Sequence, residues 1–201
     1  MTGGRMKRIG LTGSIGMGKT TVAKMFAARG IPVFDADAGV HQLYAKGGAA
    51  VAPVGAAFPG VVKDGAVDRA ALSAAVVGKP AEIKKLESIV HPLVAKLRED
   101  FLHDNEAAGA DMVVLEIQML LEGSSAKQLD AIVVVSAPEA MQRDRALARP
   151  GMTEAKLAGI LSNQMPDAEK RARADYVIDT GVSPAETEAQ VVTLIETLRK
   201  A

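Results

Sequence analysis

Ile9-Gly-Leu-Thr12-Gly13-Ser14-Ile15-Gly16-Met17-Gly18-Lys19-Thr20-Thr21 is the stretch whose reading decides the fold. It opens on an apolar run suited to a strand, and the residues after Thr20 have the apolar spacing of a helix. Between them stands a complete G-x-x-x-x-G-K-[ST] pattern, in the strand–loop–helix context that the pattern requires. Glycines let backbone N–H groups turn inward around phosphate oxygens, and a helix N-terminus adds its partial positive charge. Lys19 is expected to reach the β- and γ-phosphates, and the Thr20 hydroxyl to ligate Mg²⁺. A Gly-rich turn before an amphipathic helix is the plainer alternative. Pattern and context are met together, so residues 13–21 are read as a nucleoside triphosphate site.

Outward from this loop, short β-like runs alternate with longer helical stretches. Strands are expected at residues 7–12, 32–35, 111–117, 131–136 and 176–179; Ile132-Val-Val-Val135 is continuously apolar, as suits a strand buried on both faces. Helices are expected at 19–29, 38–44, 138–148, 153–163 and 184–199, the last opened by Ser183-Pro-Ala-Glu186, a capping box with Pro at the first helical position. This order predicts an α/β fold, a doubly wound parallel sheet of about five strands. Residues 46–110 break the rhythm with Gly47, Gly48, Pro53, Gly55, Pro59 and Gly60, a turn at Asp64-Gly65, then helical sequence over 69–105. They are read as a helical insertion beside the edge of the sheet where α/β proteins bind ligands. The core is then 6–45 and 111–201.

Composition narrows the class. The 201 residues carry 24 basic and 24 acidic side chains, three His, no Cys and no Trp, with 3 % aromatics. The core must be aliphatic, there is no disulfide framework or thiolate chemistry, and neutrality gives no support to a non-specific nucleic-acid binder. No apolar run approaches the ~20 residues of a membrane-spanning helix. Met1 to Arg5 reads as a leader without the apolar region of a secretory signal, Met6 as an alternative start, and the cytoplasm as the expected compartment. Neither a nucleic-acid nor a membrane partner is expected, and the oligomeric state is not legible.

Pro32-Val-Phe-Asp35-Ala-Asp37 ends the second expected strand with two carboxylates two residues apart, on one face of an extended chain. Such carboxylates can accept a proton from an acceptor hydroxyl or hold the Mg²⁺ shell. They can also cap the helix that follows.

The combination of Leu11–Thr21, Val33-Phe-Asp35-Ala-Asp37, Asp64-Gly-Ala-Val-Asp-Arg69, His91-Pro92, Gln142-Arg-Asp-Arg145 with Arg149, Gln164 and Ala174-Asp-Tyr-Val-Ile-Asp-Thr-Gly181 resembles the dephospho-CoA kinase family. The resemblance runs from Met6 over essentially the whole chain. It implies a P-loop kinase core, a helical CoA-binding domain formed by the insertion, and a lid near 142–170. The implied activity is ATP-dependent phosphorylation of the 3′-hydroxyl of dephospho-CoA, the final step of coenzyme A biosynthesis. By position, Asp37 matches the proposed catalytic base, with Asp35 its neighbour. His91 and Glu122 match acceptor-side positions, and Lys19 neutralises phosphate charge. Alternatives are a P-loop kinase for another small hydroxyl acceptor and an ATP-binding regulator with impaired transfer.

Arg145 and Arg149 are four apart on an expected helix, followed by a break at Pro150-Gly151. Guanidinium groups suit phosphate oxygens, so either is expected to close over the γ-phosphate; a solvated helix face is the alternative. Lys170, Arg171 and Arg173 read as surface charges, and His91-Pro92 can equally be a helix kink. The third strand departs from the family: Glu116 stands where Asp is usual, Gln118 for Pro and Leu121 for Phe, with Thr180 for Asn further on. Glu116 is still expected to order water on Mg²⁺, with one methylene more than usual.

Overall fold

The apolar runs become the interior of a sheet. The computed structural model describes residues 5–123 and 125–200. Its elements run β1 (Lys7–Thr12), α1 (Lys19–Ala28), β2 (Val33–Asp35), α2 (Ala36–Tyr44), α3 (Val51–Ala57), β3 (Val62–Lys63), β4 (Ala66–Val67), α4 (Arg69–Val76), α5 (Pro80–Ala107), β5 (Met112–Glu116), a short 3₁₀ turn, β6 (Ala131–Ser136), α6 (Glu139–Leu147), α7 (Glu154–Leu161), α8 (Asp167–Ala172), β7 (Tyr176–Asp179) and α9 (Pro184–Lys200). The five-stranded sheet has the order β2-β5-β1-β6-β7, with β1 parallel to both β5 and β6, and β6 parallel to β7. This is the doubly wound α/β architecture that the strand–helix alternation predicts.

The chain divides into two compact units, one through Phe34 and again from Asn105, the other Asp35–Asp104. The first is built around the sheet. Ile9, Leu11, Val114, Val133 and Val135 are fully buried, and α1 and α9 contribute Val22, Phe26, Val191 and Leu194 to the same cluster. Burying each such aliphatic side chain is worth about 1.5–3 kcal/mol. The expected capping box is formed: Ser183 N donates to Glu186 Oε2 at 3.0 Å, and Glu186 N to Ser183 Oγ at 3.3 Å. One helix escaped the sequence reading. Residues 167–172 look like a solvated charge run, yet they form α8, which carries the fully buried Lys170.

The second unit has its own core, with Leu43, Val54, Phe58, Val61, Val67, Leu72 and Val90 buried together. It starts at Asp35 rather than near residue 46 because Val40 and Tyr44 of α2 pack on this core. Asp64 and Gly65 have φ of 51° and 78° and connect β3 to β4, the left-handed pair that closes a tight hairpin. The Gly- and Pro-rich stretch read as irregular contains α3, whose Pro53 lies in the first turn, where its missing N–H costs nothing. The expected helix over 69–105 is two, α4 and α5, parted at Gly78 with φ 76°. Pro92 lies inside α5, which continues through it for 28 residues. No described helix is long and apolar enough to cross a membrane.

Candidate phosphate-binding site

The loop between β1 and α1 is shaped by two glycines in particular. Gly16 has φ 80°, and a Cβ there would meet the carbonyl oxygen of Gln142 at 2.4 Å. Gly18 has φ 86° and stands at the N-cap of α1 with no side-chain cap; Thr21 N and Val22 N donate to its carbonyl, which leaves the N–H groups of Lys19 and Thr20 at the helix start for a ligand. Inside the loop, Met17 N donates to Ser14 O at 3.1 Å. The loop thus ends at the positive, uncapped start of α1, where an anion is favoured.

Lys19, Thr20 and Glu116 come together here. Lys19 Nζ donates to Glu116 Oε1 at 2.6 Å, and Thr20 Oγ1 lies 3.5 Å from the same oxygen. Glu116 ends β5, paired in register with Leu11 of β1, and is 5 % exposed. A carboxylate so buried is tolerable only when paired, and the Lys19 ammonium supplies the pair. The longer Glu side chain thus reaches Lys19 directly. Two oxygen donors beside a phosphate loop fit Mg²⁺. Among the described residues no group of three or more His, Cys, Asp or Glu could cage a metal.

Around the loop, other side chains are already engaged. Arg145 of α6 donates to the Thr180 carbonyl at 2.8 Å and lies 3.2 Å from Thr180 Oγ1; Thr180 Oγ1 in turn donates to Met17 O at 2.7 Å. Of the two arginines expected to supply a group that closes over the γ-phosphate, Arg145 is bonded to Thr180 just beyond β7, while Arg149 is exposed. Arg143 pairs with Glu154 of α7.

One expectation needs correcting. Lys170, read as a surface charge, is 0 % exposed and pairs with Glu122 Oε1 at 2.8 Å. Glu122, expected on the acceptor side, also accepts the Met165 N–H at 2.8 Å with that same oxygen. Its carboxylate is a tether for the segment that leads into α8. Burial pushes the Glu122 carboxyl up, but the Lys170 ammonium and the Met165 N–H outweigh this and hold it below the usual range. The partners of Lys170 and Thr180 (Glu122 and Met17) are not legible from the sequence, because they lie 48 and 163 residues away and no local spacing marks either pair.

The remaining candidates belong to the second unit. Asp35 Oδ1 accepts the Ala38 N–H at 3.0 Å, so Asp35 is the N-cap of α2. Asp37, in the first turn of α2, is exposed and makes no side-chain hydrogen bond or ion pair among the described residues. His91 is exposed in the middle of α5. His41, at the last turn of α2, lies 3.0 Å from the guanidinium of Arg69.

Residues 7–186 match the family model described as dephospho-CoA kinase. A dephospho-CoA kinase of Rhizobium etli is 55 % identical over 194 residues, 96 % of this chain and 95 % of that protein. One of Novosphingobium aromaticivorans is 54 % identical over 192 residues, covering 96 % of this chain and 94 % of the relative. Among solved structures, a Thermus thermophilus protein superposes with a TM-score of 0.84 at 32 % identity, over 96 % of this chain and 98 % of that one.

Proposed function

The chain belongs to the dephospho-CoA kinase family and catalyses the last step of coenzyme A biosynthesis; we propose that the residues described above carry that step as follows. ATP, the phosphoryl donor, is held by the amides of the 13–20 loop other than Ile15 N and Met17 N, which are bonded within the protein, with Ser14, Ile15 and Met17 forming the loop wall and Thr21 continuing the first turn of α1. Lys19 swings from Glu116 onto the β- and γ-phosphates, exchanging one anionic partner for another. Thr20 and, through water, Glu116 hold Mg²⁺. When bound, that cation neutralises charge developing on the transferred phosphoryl group.

Asp37 takes the proton of the acceptor 3′-hydroxyl. The 3′-oxygen forms a bond to the γ-phosphorus as the bond from that phosphorus to the β–γ bridging oxygen breaks, and ADP leaves with the electron pair. Asp35 fixes the start of α2, and so Asp37 two residues on in its first turn. His91 contacts the acceptor. Arg149 is the guanidinium free to meet the phosphates, with Arg145 anchoring α6 beside it. The reaction is placed in the cytoplasm.

The observation that carries this reading is the gathering of Lys19 and Thr20 on buried Glu116 at the uncapped start of α1. The test is a coupled ADP-release assay with a panel of hydroxyl acceptors. Dephospho-CoA is expected to accelerate release well above the rate with water, nucleoside monophosphates or small sugar acids. Equal rates with all acceptors would refute the assignment.

A further inference from the structure

Ile15 is the apex of the loop, and its peptide groups are held from both sides by buried side chains. Gln142 Nε2, on α6, donates to Ile15 O at 2.8 Å. Gln164 Oε1, just beyond α7, accepts from Ile15 N at 3.2 Å. Both glutamines are less than a tenth exposed. The Ile15 side chain is buried with Ala146 of α6 and Leu157 of α7, and Leu147, Met152 and Ile160 pack on that cluster. Gly16 lies so close to α6 that a Cβ would strike the Gln142 backbone. Gln164 is itself steadied from behind, since the next residue, Met165, donates its N–H to Glu122, the partner of Lys170.

We propose that Gln142 and Gln164 are positioning residues that brace the phosphate loop in its nucleotide-accepting shape and couple it to the α6–α7 pair. This rests on reading residues 13–20 as the phosphate loop. The Ile15 peptide dictates the chemistry: its carbonyl requires a donor from Gln142, and its N–H requires an acceptor from Gln164. A buried carbonyl that loses its donor is costly, and the loop then spends more time in shapes that turn the carbonyl elsewhere. Apparent affinity for nucleotide falls by the fraction of time lost. Catalytic groups are untouched, so once ATP is saturating the turnover is close to normal.

The donor–acceptor asymmetry supplies the test. Glutamate is nearly the size of glutamine, and as a carboxylate it accepts but does not donate. Gln164→Glu therefore keeps the bond to Ile15 N, whereas Gln142→Glu sets a carboxylate against Ile15 O. Mg²⁺–ATP binding to the full chain, and KM and kcat with dephospho-CoA saturating, are measured for wild type, both Glu variants and both Met variants. The expected result is a Kd and KM for ATP raised about tenfold in Gln142→Glu, Gln142→Met and Gln164→Met, and within about twofold of wild type in Gln164→Glu, with kcat little changed throughout. The Met pair carries the comparison should a Glu variant fail to fold. Equal behaviour of the two Glu variants, or a loss in kcat with ATP affinity unchanged, would overturn the proposal. Wild type that binds no ATP would instead overturn the phosphate-loop reading beneath it.

Discussion

Glu116 and Asp37 are both carboxylates near the ends of strands, and they live in opposite circumstances. Glu116 is buried and paired with Lys19, while Asp37 is exposed and unpaired among the described residues. The contrast extends to their surroundings. In the sheet unit Arg145 is tied to Thr180, Lys170 to Glu122, and Ile15 to two glutamines. In the second unit His91 is as exposed as Asp37. Charges that must stand ready for a polyanion are prearranged by the protein itself, at a desolvation cost met by pairing. On the proposed assignment, the groups that meet the acceptor are open to water, so that the acceptor would become their first partner.

This division is broken most forcefully at Asp37. Asp37→Asn is expected to lower kcat by about 10²–10⁴-fold while ATP binding, measured by titration, stays near wild type. A variant that loses ATP affinity instead would place Asp37 with the nucleotide groups. Lys19→Met should cost about 10²–10³-fold in kcat/KM for ATP, since one preorganised donor to the developing charge is gone.

The pairing argument has a stability arm. Glu122→Ala strands the Lys170 ammonium at 0 % exposure and should destabilise the fold by about 3–5 kcal/mol in urea unfolding. The double variant Glu122→Leu with Lys170→Met should recover most of that loss, because apolar groups of similar volume replace both charges. If the double variant is no better than the single, burial of the pair is not what makes Glu122 matter.

The smallest effect is in pH. The folded Glu122 carboxyl titrates below its ordinary value of 4.5. As acid is added, the unfolded chain therefore takes up this proton first. The stabilisation is complete above that value and is lost as pH falls through the lower, folded one. Unfolding free energy measured across the acid range should fall less steeply in Glu122→Gln than in wild type. Equal slopes would show that the Lys170 pair does not depress Glu122.

Much of this was legible in advance, and for identifiable reasons. The strand at 131–136 is legible to the residue because an interior parallel strand is a continuous apolar run; those at 7–12 and 176–179 match to the residue as short apolar-centred runs bounded by polar or turn residues. The Asp64-Gly65 hairpin and the Ser183 capping box are local chemistry, complete within four residues. The phosphate loop is legible for the same reason. Lys170, Thr180 and the bracket around Ile15 were not, because each depends on a partner far away in sequence. Asp35 reads equally as a cap and as a catalytic neighbour, and its bond to Ala38 N shows that it caps α2.

The account stands or falls on what becomes of the acceptor. Incubating the chain with ATP, Mg²⁺ and dephospho-CoA and following the acceptor by mass and phosphorus NMR tests it directly. The prediction is one phosphoryl group gained at the ribose 3′-oxygen for each ADP formed, abolished in Asp37→Asn. ADP formed while dephospho-CoA is recovered unchanged would contradict it.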